Sequence, residues 1–168
     1  AAERARTAEK RLPVRDCVQI GLVLTEALQF LHESGFTHRD IKPQNVVFTG
    51  GRPKLADLGL IADIRPEEQV KTIVGTPGYM PPSPERPGTP AADIFSLGMV
   101  LYVLGTGREA AAFPDISTLL VAGEAAADFL PLNAIILKAC HPRPESRYAT
   151  AAEMHRALQL LKDKPGEK

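Results

Sequence analysis

Apolar or small residues at Cys17, Gly21, Leu24, Leu28 and Leu31 recur at steps of three and four. That spacing predicts a helix over residues 13–33 with one buried stripe. Pro13 suits a first helical position, and Ser34-Gly35 stops the helix. Residues 46–48 and 54–56 are short β-type runs on either side of Thr49-Gly50-Gly51-Arg52-Pro53, which predicts a hairpin. Residues 57–85 lack clear periodicity and are rich in Pro and Gly, so they are expected to form a long, functional loop. Residues 91–104 contain the longest apolar run and predict a fully buried helix, ended by Gly105-Thr106-Gly107. Shorter helices are expected over residues 117–123 and 132–140. A last helix over 151–162 opens with a capping-box pattern in Thr150 and Glu153. The expected class is mainly α with a small β hairpin. Residues 13–162 form the folded body, 1–12 a frayed start and 163–168 a polar tail.

The hairpin carries a chemical consequence. An antiparallel pair brings its two outer ends together, so Asn45 and Asp57 meet side by side. Just ahead lies Thr37-His38-Arg39-Asp40-Ile41-Lys42-Pro43-Gln44-Asn45. This stretch puts a carboxylate, an ammonium and a carboxamide in one short segment, the groups needed to grip a metal-bound phosphate and accept a hydroxyl proton.

Charge and cysteine usage narrow the class further. The 168 residues hold 20 Lys plus Arg and 20 Asp plus Glu, so the chain lacks the basic excess of a nucleic-acid or membrane-surface binder. No apolar run approaches the ~20 residues of a membrane span. Residues 1–10 lack the apolar core of a signal peptide. The two cysteines, Cys17 and Cys140, have no zinc-like spacing and read as buried free thiols in a reducing cytoplasm.

Several ordered pieces resemble the catalytic domain of serine/threonine protein kinases, its bacterial members most of all. They are His38-Arg39-Asp40 with Lys42 and Asn45, then Asp57-Leu58-Gly59, then Gly75-Thr76-Pro77-Gly78-Tyr79-Met80, then Asp93-Ile94-Phe95-Ser96-Leu97-Gly98, and Arg147 near the end. The resemblance implies the large, C-terminal lobe of a kinase. It assigns Asp40 as catalytic base, Lys42 as stabiliser of the transferring phosphate, and Thr76 as a contact of both. Asn45 and Asp57 become magnesium ligands, and Val47 part of the floor under adenine. ATP and Mg2+ are the implied cofactors, and a protein Ser or Thr hydroxyl the implied acceptor. The lysine at position 42 leans toward Ser/Thr rather than Tyr substrates. Arg39 is expected to pair with a phosphate on the long loop, with Thr72 the better acceptor. His38 is expected to be a packed, hydrogen-bonded core residue. Asp93 is expected to cap its helix and bond back to the His38-Arg39 backbone.

Two departures stand out. The family glutamate after Tyr79-Met80 is either replaced by Ser83 or displaced to Glu85, and Glu85 is expected to reach Arg147. The glycine-rich loop and the strand lysine of kinases do not occur in these 168 residues. The resemblance places them in an amino-terminal lobe outside this chain, so the chain alone is expected to have negligible activity. A second reading is a catalytically inactive, kinase-like binding or regulatory module. A third is a small-molecule phosphotransferase, which the peptide-docking character of residues 75–80 disfavours.

Overall fold

Five α-helices and four short strands lie among residues 11–57, 61–63, 75–85, 88–122 and 124–163, the parts of the chain that the computed structural model describes. Helix α1 (Val14–Glu33) buries Cys17, Gly21, Leu24 and Leu28, the expected stripe. Pro13 stands just outside the helix as its cap rather than inside the first turn. Strand β1 (Phe36–Thr37) follows. A single 3-10 turn (Pro43–Asn45) then leads into β2 (Val46–Thr49) and β3 (Arg52–Leu55), the expected hairpin, with Val46 opposite Leu55 and Thr49 opposite Arg52. Gly50 and Gly51 both have positive φ, which glycine adopts without steric cost.

The long loop is not wholly irregular. Strand β4 (Ala62–Asp63) pairs antiparallel with β1, Phe36 opposite Asp63. Two-residue strands show no periodicity, so this second small sheet had no signature in the hydropathy pattern.

Helix α2 (Pro90–Thr106) is buried on nearly every side. The hydroxyl of Thr89 caps it by accepting from Ala92 N at 3.0 Å, and Gly107, at φ 70°, ends it. The helix therefore outruns the expected stop at Leu104. Gly105 lies inside it, where a Cβ would make ordinary van der Waals contact with Phe129 at 3.5 Å and the Cys17 sulfur at 3.7 Å. The short helix α3 (Thr118–Val121) is capped by Ser117.

Helix α4 (Glu124–Ala139) begins eight residues before the expected Leu132. The added turns carry Pro131 inside the helix, although an interior proline removes a hydrogen bond and usually costs ~3 kcal/mol or more. Here Phe129, Leu132, Ile136 and Ala139, all fully buried, hold the helix through the proline. Helix α5 (Ala151–Lys162) has the expected bounds. Thr150 accepts from Glu153 N at 3.1 Å, and Glu153 reaches back to Ala149 N at 2.8 Å, one residue earlier than in a standard capping box.

Helices α1 and α4 pack on α2, and α5 lies along α1. Close approach depends on two glycines. A Cβ on Gly21 would meet Leu158 Cδ1 at 2.8 Å, and one on Gly98 would meet the Cys140 sulfur at 2.5 Å. The hairpin and the loop before it rest on this helical base.

Candidate active site

The site is built on the loop between β1 and β2. Arg39 has φ 71°, a left-handed conformation that costs a non-glycine residue roughly 1–2 kcal/mol. Asp93, in the first turn of α2 and only 1% exposed, holds that turn. Its Oδ2 accepts from His38 N at 2.8 Å and its Oδ1 from Arg39 N at 3.0 Å. Hydrogen bonds to a charged group contribute ~1.5–3 kcal/mol each, enough to offset the strained turn. The expected link from Asp93 to this backbone is present. The capping role belongs to Thr89 instead. A third donor to Asp93 had no signal in the sequence: His32 Nε2 lies 2.9 Å from Oδ2, from 61 residues away.

His38 departs from expectation. It is fully buried, but neither ring nitrogen has a hydrogen-bond partner among the described residues. Only its backbone is engaged by Asp93.

The turn delivers Asp40 into a cluster of donors. Lys42 Nζ lies 2.7 Å from Asp40 Oδ2, and the Thr76 hydroxyl donates to Oδ1 at 2.6 Å. Asn45 Nδ2 donates to the Asp40 backbone carbonyl at 2.8 Å and to Oδ2 at 3.2 Å. Lys42 also donates to Thr76 Oγ1 at 2.9 Å, closing a ring of three side chains. Burial pushes the Asp40 pKa up. The hydrogen bonds from Lys42 and Thr76, the lysine charge and the Asn45 bond together outweigh it and hold the carboxyl below its ordinary value. Asp40, Lys42, Thr76 and Asn45 are thus one constellation, although Thr76 is 36 residues from Asp40 in the chain.

The hairpin sets the second half of the site. Ala56 N donates to Asn45 O at 2.8 Å, so the ladder extends one step beyond β2 and β3, and Asp57 follows at the same end as Asn45. Asp57 is exposed and sits at φ 60°, a left-handed conformation that aspartate tolerates better than most residues. Both Asn45 bonds to Asp40 use its nitrogen, so its Oδ1 is the atom suited to a ligand role. One amide oxygen and one carboxylate are hard donors. They suit magnesium, which binds through one or two protein groups with substrate phosphates and water completing the shell. Among the described residues no cluster of three or more His, Cys, Asp or Glu could hold a metal by itself. Val47 is 37% exposed on the hairpin face opposite Val46 and Phe48. Leu58, Gly59 and Thr72 lie outside the described residues.

A family model for the protein kinase domain matches residues 2–157. This chain belongs to the protein kinase domain family. Serine/threonine-protein kinase PknB of Mycobacterium leprae is 33% identical over 164 residues, covering 88% of this chain and 26% of that protein. Serine/threonine-protein kinase PknG of the same organism is 32% identical over 156 residues, covering 89% of this chain and 19% of the relative. Human calcium/calmodulin-dependent protein kinase type IV is 37% identical over 101 residues, covering 56% of this chain and 21% of that kinase. The chain therefore spans about a quarter or less of the length of these relatives.

The kinase segment after Thr76 is tied to the helical base at two points. The Ser96 hydroxyl donates to Tyr79 O at 2.6 Å. Glu85 pairs with Arg147 through two bonds, at 3.0 and 2.6 Å, so the displaced glutamate does reach the arginine. The Arg147 side chain is wholly buried and also donates to the carbonyls of His141, Ala91 and Pro142. Its guanidinium lies 5.0 Å from the centre of the Phe95 ring.

Proposed function

We propose that this chain carries the phosphoryl-transfer centre of a serine/threonine protein kinase, moving the γ-phosphate of ATP to Ser or Thr hydroxyls of a protein. The observation that carries the reading is the convergence of Lys42, Thr76 and Asn45 on the buried Asp40 carboxylate. Bonds to its charged form keep Asp40 ionised at neutral pH, so it can orient a substrate hydroxyl and accept its proton. Lys42, bonded both to Asp40 and to Thr76, presents an ammonium where charge develops on the transferring phosphate. Thr76 fixes the Asp40 plane and ties the docking segment to the base. Asn45 Oδ1 and Asp57 would hold magnesium, which would supply positive charge to the phosphate oxygens. Val47 offers an apolar surface to the adenine ring.

Residues 13–162 act as the large lobe in this reading. The glycine-rich loop and strand lysine come from an amino-terminal lobe outside these 168 residues. Positioning supplies most of the catalysis in phosphoryl transfer, so the chain alone has negligible activity. Its two buried thiols suit a reducing cytoplasm. The altered segment near Ser83 weakly favours the alternative of an inactive module, but its displaced glutamate still pairs with Arg147, which supports the enzyme reading.

The test is magnesium-dependent autophosphorylation of the full-length protein. Asp40→Asn should lower the rate by about 100-fold or more, the usual worth of a positioned general base. Equal rates for the two proteins would reject the assignment and leave the binding-module reading.

A further inference from the structure

The exposed face of a helix is ordinarily polar, and a helix apolar all round is ordinarily buried. Helix α4 departs from that pattern. Phe129, Leu132, Ile135 and Ile136 face the core, yet the opposite side is apolar as well. Ala127, Leu130, Ala134 and Leu137 recur there at steps of three and four and are all exposed, Leu130 at 44% and Leu137 at 43%. They form one stripe about 15 Å long, at 1.5 Å per residue. Helix α1, by contrast, exposes Arg15, Asp16, Gln19, Glu26 and Glu33 around a lone aromatic, Phe30.

The stripe is self-complementary. A two-fold axis crossing the helix between Asn133 and Ala134 sets Leu130 of one copy against Leu137 of the other, and Ala134 close to its own counterpart. The charges obey the same symmetry. Asp128 and Lys138 are both exposed, and the antiparallel pair brings them level with each other across the two copies. Lys138 is fixed in place by Glu153 at 3.0 Å and by the Tyr148 ring, whose centre is 4.3 Å away. A parallel pair would instead set Asp128 against Asp128 and Lys138 against Lys138, which repels.

We propose that α4 pairs antiparallel with the α4 of a second copy of this chain, with Leu130 and Leu137 as the seam and Asp128 and Lys138 as its rim. So short a seam buries less than a standard interface, which makes the dimer a transient one. The pairing does not depend on the kinase reading, because none of these side chains belongs to the cluster around Asp40.

The experiment uses the full-length protein. Sedimentation equilibrium at up to about 1 mM should show a reversible dimer. Leu130→Asp and Leu137→Asp should each raise its Kd at least about tenfold, with the urea midpoint unchanged because both side chains are exposed. Asp128→Lys should raise it about threefold at low salt. Mild oxidation reads the orientation. Ala134→Cys lies at the two-fold axis and should form an intermolecular disulfide above the background of the parent protein. Ala127→Cys lies about 10 Å from the axis, hence about 20 Å from its counterpart, and should not. A protein that stays monomeric at about 1 mM overturns the proposal. So does a dimer undiminished by Leu130→Asp or by Asp128→Lys, or a cross-link as efficient at Ala127→Cys as at Ala134→Cys.

Discussion

Replacing Glu85 by Gln removes one charge from a buried pair while keeping its shape. Arg147 is wholly buried and would be left with a guanidinium facing only carbonyl oxygens and an amide. Removing one partner of such a pair typically costs ~3–5 kcal/mol. Two features place this site at the lower end. Three carbonyls, at 2.7, 2.9 and 3.4 Å, continue to accept from Arg147. The Glu85 side chain is also 13% exposed, so water can reach the gap. The expected loss is therefore ~3 kcal/mol, about a 150-fold change in the folding equilibrium. That corresponds to a fall in Tm of roughly 6–12 °C for a domain of this size. Urea unfolding of the kinase domain gives the stability directly, through a lower midpoint at constant slope. The double variant Glu85→Gln with Arg147→Met removes both charges and should recover part of the loss, because a neutral pair leaves no unpaired ion. A loss below about 1 kcal/mol in Glu85→Gln, or a double variant weaker than the sum of the singles, would refute the reasoning, the range being that of a broken buried pair.

Other outcomes follow from the same geometry. Gly98→Ala should cost ~1–3 kcal/mol in urea unfolding, because its Cβ would meet the Cys140 sulfur at 2.5 Å and Ala139 Cβ at 2.9 Å; Cys140→Ala in the same chain should relieve part of that cost. Burial pushes the Cys17 thiol up to about 12 and raises Cys140 as well, so native alkylation at pH 8 should modify neither, and both should react in denaturant. The Asp40 carboxyl is held below its ordinary value of 3.8, so its contribution to stability is complete above that value and is lost as pH falls through the lowered one. The stability gap between wild type and Asp40→Asn should accordingly stay level from pH 8 to about pH 5 and narrow in stronger acid. A gap that widens on acidification would contradict the charge-stabilised cluster.

The sequence made long periodic elements and the hairpin legible. The stripe of α1, the apolar run of α2 and the cap of α5 each follow from spacing or turn chemistry within one segment. Boundaries were less legible where burial overrode local preference, as at Pro131 and Gly105. The short pairing of β1 with β4 left no pattern to read. At the site, the resemblance named Asp40, Lys42, Asn45, Asp57 and Thr76 together, and the hairpin argument placed Asn45 and Asp57 at one end. His32 escaped notice because a helical histidine 61 residues from its partner looks like any other.

By itself, the order of residues determined which groups this chain can offer: a carboxylate, an ammonium, an amide, and two strands that bring the ends of a turn together. Those are properties of neighbours, fixed by covalent reach and backbone preference. Tertiary structure decided how the groups act. Packing of α2 under the loop puts Asp93 beneath His38 and Arg39, holds Arg39 left-handed, and turns Asp40 toward Lys42 and Thr76. The same base lets Glu85 close on Arg147 despite its shifted place in the chain. Such contacts join residues dozens of positions apart, and their energies depend on burial that exists only once the core has formed.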